Sequence, residues 1–192
     1  MTSSGINAQL ESEIRNNICR GNFLSGIEAE RGAIITGNLC AANGVDGIAS
    51  QARSIVQGNE ALRNTQVGIR SAGGSLVVGN MVVGNKIDGI QVNSTCKVID
   101  NRLSTWGNDP EAAAIHAFGS QNEIRDNNLF AHPRGIVLDD TDNVVSNNLQ
   151  YGDSKTIDAV PGNDLNILIS ELPYTIQHPG MYRLTGDLAL PE

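Results

Sequence analysis

Aromatic side chains are scarce in this chain: one Trp, three Tyr and three Phe in 192 residues. A core suited to such a length must therefore be built from stacked Ile, Val, Leu and Ala. Basic residues are also short, 13 Lys and Arg against 21 Asp and Glu, for a formal charge of −8. That balance argues against nucleic acid or an anionic membrane surface as a partner, because both are held through basic patches. No apolar run reaches the ~18 residues of a spanning helix. The opening MTSSGINAQLESE holds neither a basic stretch nor an apolar one, so no signal peptide is expected and the compartment is not readable. The cysteines are Cys19, Cys40 and Cys96, and an odd count speaks against a disulfide framework. Cys/His zinc spacing and glycine-rich phosphate loops are absent too.

What the chain has instead is a repeat. GIEAERGAIITGN, from Gly26, recurs as GIASQARSIVQGN, GIRSAGGSLVVGN and GIQVNSTCKVIDN. The Gly-Ile isoleucine falls at Ile6, Ile27, Ile48, Ile69 and Ile90, every 21 residues. One step of 25 leads to Ile115, and the period returns at Ile136 and Ile157. Such a period is settled before any other reading.

Counting from that isoleucine as zero, three apolar columns run through the repeats. Zero and +2 make the first strand, with Ala8, Ala29, Ser50, Ser71, Val92, Ala117 and Leu138 at +2. The second column is Ile14, Ile35, Val56, Val77, Val98, Ile124 and Val144. The third is Cys19, Cys40, Ala61, Val82, Leu103, Leu129 and Leu149. β-Branched residues dominate, alternation is visible, and no helical period competes, so each repeat reads as three short strands. An asparagine column stands between the second and third: Asn17, Asn38, Asn59, Asn80, Asn101, Asn127 and Asn147 or Asn148. Gly and Asn tolerate a left-handed bend, and stacked amides bond along an axis. A second column, Asn22, Asn43, Asn64 and Asn85, precedes each Gly-Ile pair. Only the first column is expected to hold an interior bend, so Asn59→Ala or Asn80→Ala should destabilise more than Asn64→Ala. Cys19 and Cys40 share a repeat position, about 4.8 Å apart if rungs stack. They read as small buried neighbours rather than a bridge.

These residues resemble the right-handed parallel β-helix repeats of the pectate-lyase-like superfamily, nearest its carbohydrate-binding and sugar-hydrolase, NosD-type repeats. The resemblance implies an all-β, right-handed parallel β-helix, a single solenoid of about seven 21-residue rungs of three short strands. Residues 1–160 are expected to form the coil, and 161–192 a short C-terminal β tail or cap. A tail covering an open end, its own or that of a second copy, would permit a homodimer or end-to-end association. The resemblance also implies a groove along the outside of the first strand. The four extra residues, in LSTWGNDPEAAA, fall in the loop before that strand. A solenoid commonly carries its binding face where insertions project.

Candidate site residues follow from that face. The outward +1 and +3 positions hold Asn7, Glu28, Arg70, Gln91, His116, Val137, Gln9, Glu30, Gln51, Asn93, Phe118 and Asp139. Amides, acids and a ring suit sugar hydroxyls and apolar sugar faces; a solvated sheet face would also be polar. Arg70, Gln91, Asn93 and Phe118, with Trp106 of the inserted loop, are the expected substrate-binding residues. Asp109, Glu111, His116 and Asp139 form the expected catalytic cluster, against the alternative of a structural loop. The Asn-Asp-Pro-Glu stretch faintly resembles an Asp-Pro segment of uronate epimerases in this superfamily, without the histidine that follows Pro there. Glu28 and Glu30, two apart on one strand, stand roughly 6.8 Å apart, near the ~6.5–9.5 Å of an inverting glycosidase pair.

Asp139, Asp140 and Asp142 could contribute to a calcium site, but no complete loop motif is present. No metal or other cofactor is otherwise expected. The function expected is binding or processing of a polysaccharide along the first-strand groove, in the manner of a lyase, hydrolase or uronate epimerase. The alternative is a non-catalytic structural or interaction solenoid.

Overall fold

The computed structural model describes residues 3–104, 109–151, 157–169 and 181–184. Parallel, in-register stacking of the repeats produces two sheets among these residues. The first-strand sheet has eight strands: Ile6–Ala8, Ile27–Ala29, Ile48–Ser50, Ile69–Ser71, Ile90–Val92, Ala113–Ala117, Arg134–Leu138 and Ile157–Ala159. The second and third strands of the rungs share the other sheet, of 15 strands. Each Gly-Ile isoleucine pairs with the next, from Ile6↔Ile27 to Ile136↔Ile157. The 21-residue period is thus the length of one coil.

The apolar columns fill the coil. Ile27, Ile48, Ile69, Ile90, Ile115 and Ile136 are fully buried, stacked beside Ile35, Val56, Val77 and Val98. Cys19 pairs in register with Cys40, both are buried and free, and burial pushes both thiols up. Cys96 is not in that column; it lies in a turn, its Sγ 3.3 Å from the Ala72 carbonyl.

Two column assignments shift by one residue in the last full rung. Val145, not Val144, pairs with Ile124 and is buried, while Val144 is 43% exposed. Gln150, not Leu149, pairs with Leu129 and takes the third column. The cause is one extra residue in the turn after Leu138. Val137, on the outward +1 column, is also buried.

Among the described residues the rungs turn their corners through a left-handed residue, followed in the inner rungs by a buried one. Asn16, Gly37, Gly58, Gly79, Asp100, Asp126 and Asn147 have positive φ, each preceding a member of the first Asn column. The ladder therefore ends in Asn148, which accepts from the Asn127 backbone N–H at 3.0 Å. Gly21, Ala42, Arg63 and Gly84 play the same part before the second Asn column. A third corner carries Ser54, Ser75, Cys96, Asn122 and Asn143, bonded from rung to rung.

The two Asn columns prove equivalent, contrary to the sequence expectation. Asn59 Oδ1 accepts from the Asn38 N–H at 2.8 Å, and its Nδ2 donates to Ile35 O at 2.9 Å and Asn80 Oδ1 at 3.1 Å. Asn64 Oδ1 accepts from the Asn43 N–H at 3.0 Å, and its Nδ2 donates to Cys40 O at 3.1 Å and Asn85 Oδ1 at 2.9 Å. Both are buried. Removing either amide strands several buried partners, at about 1–3 kcal/mol for each group left unsatisfied. Asn59→Ala and Asn64→Ala should therefore lower unfolding free energy by similar amounts in urea titrations. A much smaller loss for Asn64→Ala would restore the original ranking.

At the far end the coil continues past residue 160. Asp164–Ile169 pairs in parallel with Val144–Tyr151, and Met181–Leu184 pairs in parallel with Asp164–Ile169. That strand of the tail lies on its own chain's last rung. Tail residues 170–180 and 185–192 fall outside the described residues.

Candidate functional site

Outward residues of adjacent rungs stand side by side because the first-strand sheet is parallel and in register. Arg70 is beside Gln91, and Gln91 beside His116. Above the middle rungs this surface forms an open trough of about 440 Å³, whose walls include Gln51, Arg70, Gln91, Asn93 and Phe118. A second hollow of about 380 Å³ continues toward the first rung between Gln9, Glu28, Glu30 and Gln51. Four of the expected substrate-binding residues, Arg70, Gln91, Asn93 and Phe118, thus come together. Trp106 lies outside the described residues.

His116 and Asp139, expected to cluster, meet directly: Nε2 is 2.9 Å from Asp139 Oδ2. The other nitrogen, Nδ1, is 3.2 Å from Oδ2 of Asp88, which is 3% exposed. Asp88 is fixed by the Ala113 N–H, donating to Oδ1 at 2.7 Å, and by Gln91 Nε2, donating to Oδ2 at 2.7 Å. Both carboxylates only accept when ionised, so an imidazole carrying both protons would satisfy the two of them. Burial alone would lower the His116 pKa, but the bonds to Asp88 and Asp139 outweigh it and hold it above the ordinary imidazole value. Burial alone would raise Asp88; the bonds from His116, Gln91 and Ala113 bring it below the usual carboxylate value. The Phe118 ring stacks on His116 with centroids 4.0 Å apart, presenting its exposed side at the trough.

Asp109 and Glu111 are bonded elsewhere. Asp109 Oδ1 accepts from the Glu111 N–H at 3.0 Å, and Glu111 Oε2 lies 3.2 Å from Arg134 Nη1. Gln91 turns inward to Asp88 and is buried, so its amide is less available than its outward position suggested. Among the described residues no group of three or more His, Cys, Asp or Glu side chains is placed to hold a metal ion.

Sequence reasoning missed the position two before each isoleucine. Asp46 bonds Arg70 through Nε at 2.9 Å, Asp88 bonds His116, and Arg134 Nε bonds Asp158 at 2.8 Å. Each pair joins one rung's edge to the next rung's outward +1 residue. The signal was the recurring charge complementarity at separations of 24 and 28 residues. His132 was missed as well. It is 2% exposed, with neither ring nitrogen hydrogen-bonded, and burial pulls its pKa down to about 4. It follows Ala131, whose φ of 52° is that of the residue before each second-column Asn.

The family model described as "Right handed beta helix region" matches residues 1–150. No curated protein matches the sequence. Among solved structures, the chain is similar to the periplasmic alginate epimerase AlgG, at 18% identity and TM-score 0.65. The match covers 97% of this chain and 48% of that one, so the chain spans about half the epimerase's length. A double mutant of that epimerase matches at 17% identity and TM-score 0.41, covering 96% of this chain and 51% of that one.

Proposed function

The chain belongs to the right-handed β-helix family, and from that premise we propose that its first-strand face is a carbohydrate-binding surface. One observation carries the reading: a trough of about 440 Å³ whose lining sets the amides of Gln51 and Asn93 on the same face as the exposed ring of Phe118. Amides donate and accept, as sugar hydroxyls require. A rigid ring offers apolar contact area to a sugar face. The likeness of fold to an alginate epimerase is consistent with a polysaccharide partner.

His116 bears on whether this surface binds or turns over its ligand. A general acid or base must reach a substrate proton. Both nitrogens of His116 already face carboxylates, at 3.2 and 2.9 Å. As built, the imidazole holds its rung together and braces Phe118, so binding rather than turnover is the function proposed.

A glycan array followed by calorimetry on the strongest hit tests the proposal. Phe118→Ala and Asn93→Ala should each weaken binding about 10-fold, which corresponds to ~1.4 kcal/mol, without changing the melting temperature. Unchanged affinity in both variants, or no glycan bound at all, would leave a structural or interaction solenoid as the better description.

A further inference from the structure

Resting on the glycan-binding reading above, we propose that the trough takes an uncharged glycan strand and discriminates against polyuronates. The outward +1 and +3 positions of the first-strand sheet carry two cationic side chains among the described residues, Arg70 and His116. Arg70 is committed to Asp46, with Nε to Oδ2 at 2.9 Å and Nη2 to Oδ1 at 3.3 Å. Asp46 is itself buried and also accepts from the Val67 N–H, so it cannot swing away without losing that bond. His116 lies between two carboxylates, Asp88 and Asp139, whose combined charge exceeds its own. At the edge of the sheet Arg134 is bonded by Asp158 and Glu111.

Every cation facing the ligand is therefore matched by a carboxylate of the same coil. The acids are not matched in return. Glu28 and Glu30 line the neighbouring hollow and form no ion pair among the described residues. Arg31 and Arg53 are exposed in the turns after the strands and line neither hollow. A polyuronate would bring a carboxylate on every sugar to a surface with no uncommitted cation. Like-charge juxtaposition is an effective way to reject a partner. An uncharged chain meets amides, an aromatic ring, the Asp46-paired Arg70 and acids able to accept from hydroxyls.

The test is an array that carries each polyuronate beside both its methyl-esterified and its carboxyl-reduced counterparts, which share its backbone, lose its charge and change the group at that carbon in different ways. Both uncharged members should bind about 10-fold more tightly at low salt. The gap should narrow at about 0.5 M salt, as repulsion is screened. The double variant Glu28→Gln/Glu30→Gln should raise binding of the free-acid member. A free-acid member bound more tightly, with affinity falling as salt rises, overturns the charge assignment and leaves glycan binding standing. Silence from all members of every set, and from neutral glycans on the same array, overturns both proposals.

Discussion

Gly68→Ala is expected to cost roughly 3 kcal/mol or more of unfolding free energy, the upper range for forcing atoms into a packed core. Gly58→Ala should cost about 1–2 kcal/mol. The two glycines are needed for different reasons. Gly58 has φ +60° with nothing within 4 Å of an added Cβ, so alanine there meets only the left-handed backbone penalty. A Cβ on Gly68 would lie 2.7 Å from the Gly89 carbonyl oxygen and 2.6 Å from Asn85 Nδ2, and against the Val82 side chain. None of these can yield cheaply, because the carbonyl belongs to the next rung and the amide to a buried ladder. Gly47 is in the same position, with Gly68 O at 2.6 Å and Asn64 Nδ2 at 2.7 Å. The glycine of the Gly-Ile pair is thus what admits the second Asn ladder. Urea unfolding of the two variants gives the comparison, and equal losses would show that the repeat needs glycine for its backbone alone.

The same stacking decides what could be read in the sequence. In-register parallel pairing demands the same spacing in every rung, so Ile6 to Ile157 and the first Asn column declared the coil. Where the last full rung, like the one before it, takes nine residues rather than eight to reach its second column, the doublets Val144-Val145 and Asn147-Asn148 satisfied either register. Only burial of Val145 and Asn148 separates them. Within the site, His116 and Asp139 were legible because +1 and +3 side chains of neighbouring rungs project from one face. Asp88 was not, because its partner sits one rung on and across the lengthened step, 28 residues away. Asp46 escaped because its partner Arg70 also sits one rung on, 24 residues away. His132 escaped because nothing in its composition marks it as a ladder residue. Its place shows only in the Ala131 backbone and in its own burial.

His132 makes the fold acid-sensitive. Burial lowers its folded pKa from 6.5 to about 4, and nearby Asp88 offsets only part of that. Between those values the unfolded chain takes up a proton that the folded chain refuses, so this residue's contribution to stability falls as pH drops from about 6.5 to about 4. At 1.36 kcal/mol per pKa unit, the loss approaches roughly 3 kcal/mol. His116 acts in the opposite sense: its raised folded pKa contributes stability at low pH that is lost as pH rises through that value. The wild type therefore mixes the two, and a variant is needed to isolate one. His132→Asn places an amide where Asn64 Nδ2 donates to Cys40 O and Asn85 Nδ2 to Ala61 O one rung back. The equivalent acceptor for residue 132 is the Leu103 carbonyl. The variant should match or exceed the wild type at pH 7, and its advantage should grow by roughly 3 kcal/mol on going to pH 4. Urea midpoints across that range report the difference, in which the carboxylates common to both proteins cancel. A difference that stays flat with pH would mean that His132 is protonated as readily in the folded coil as in the unfolded chain.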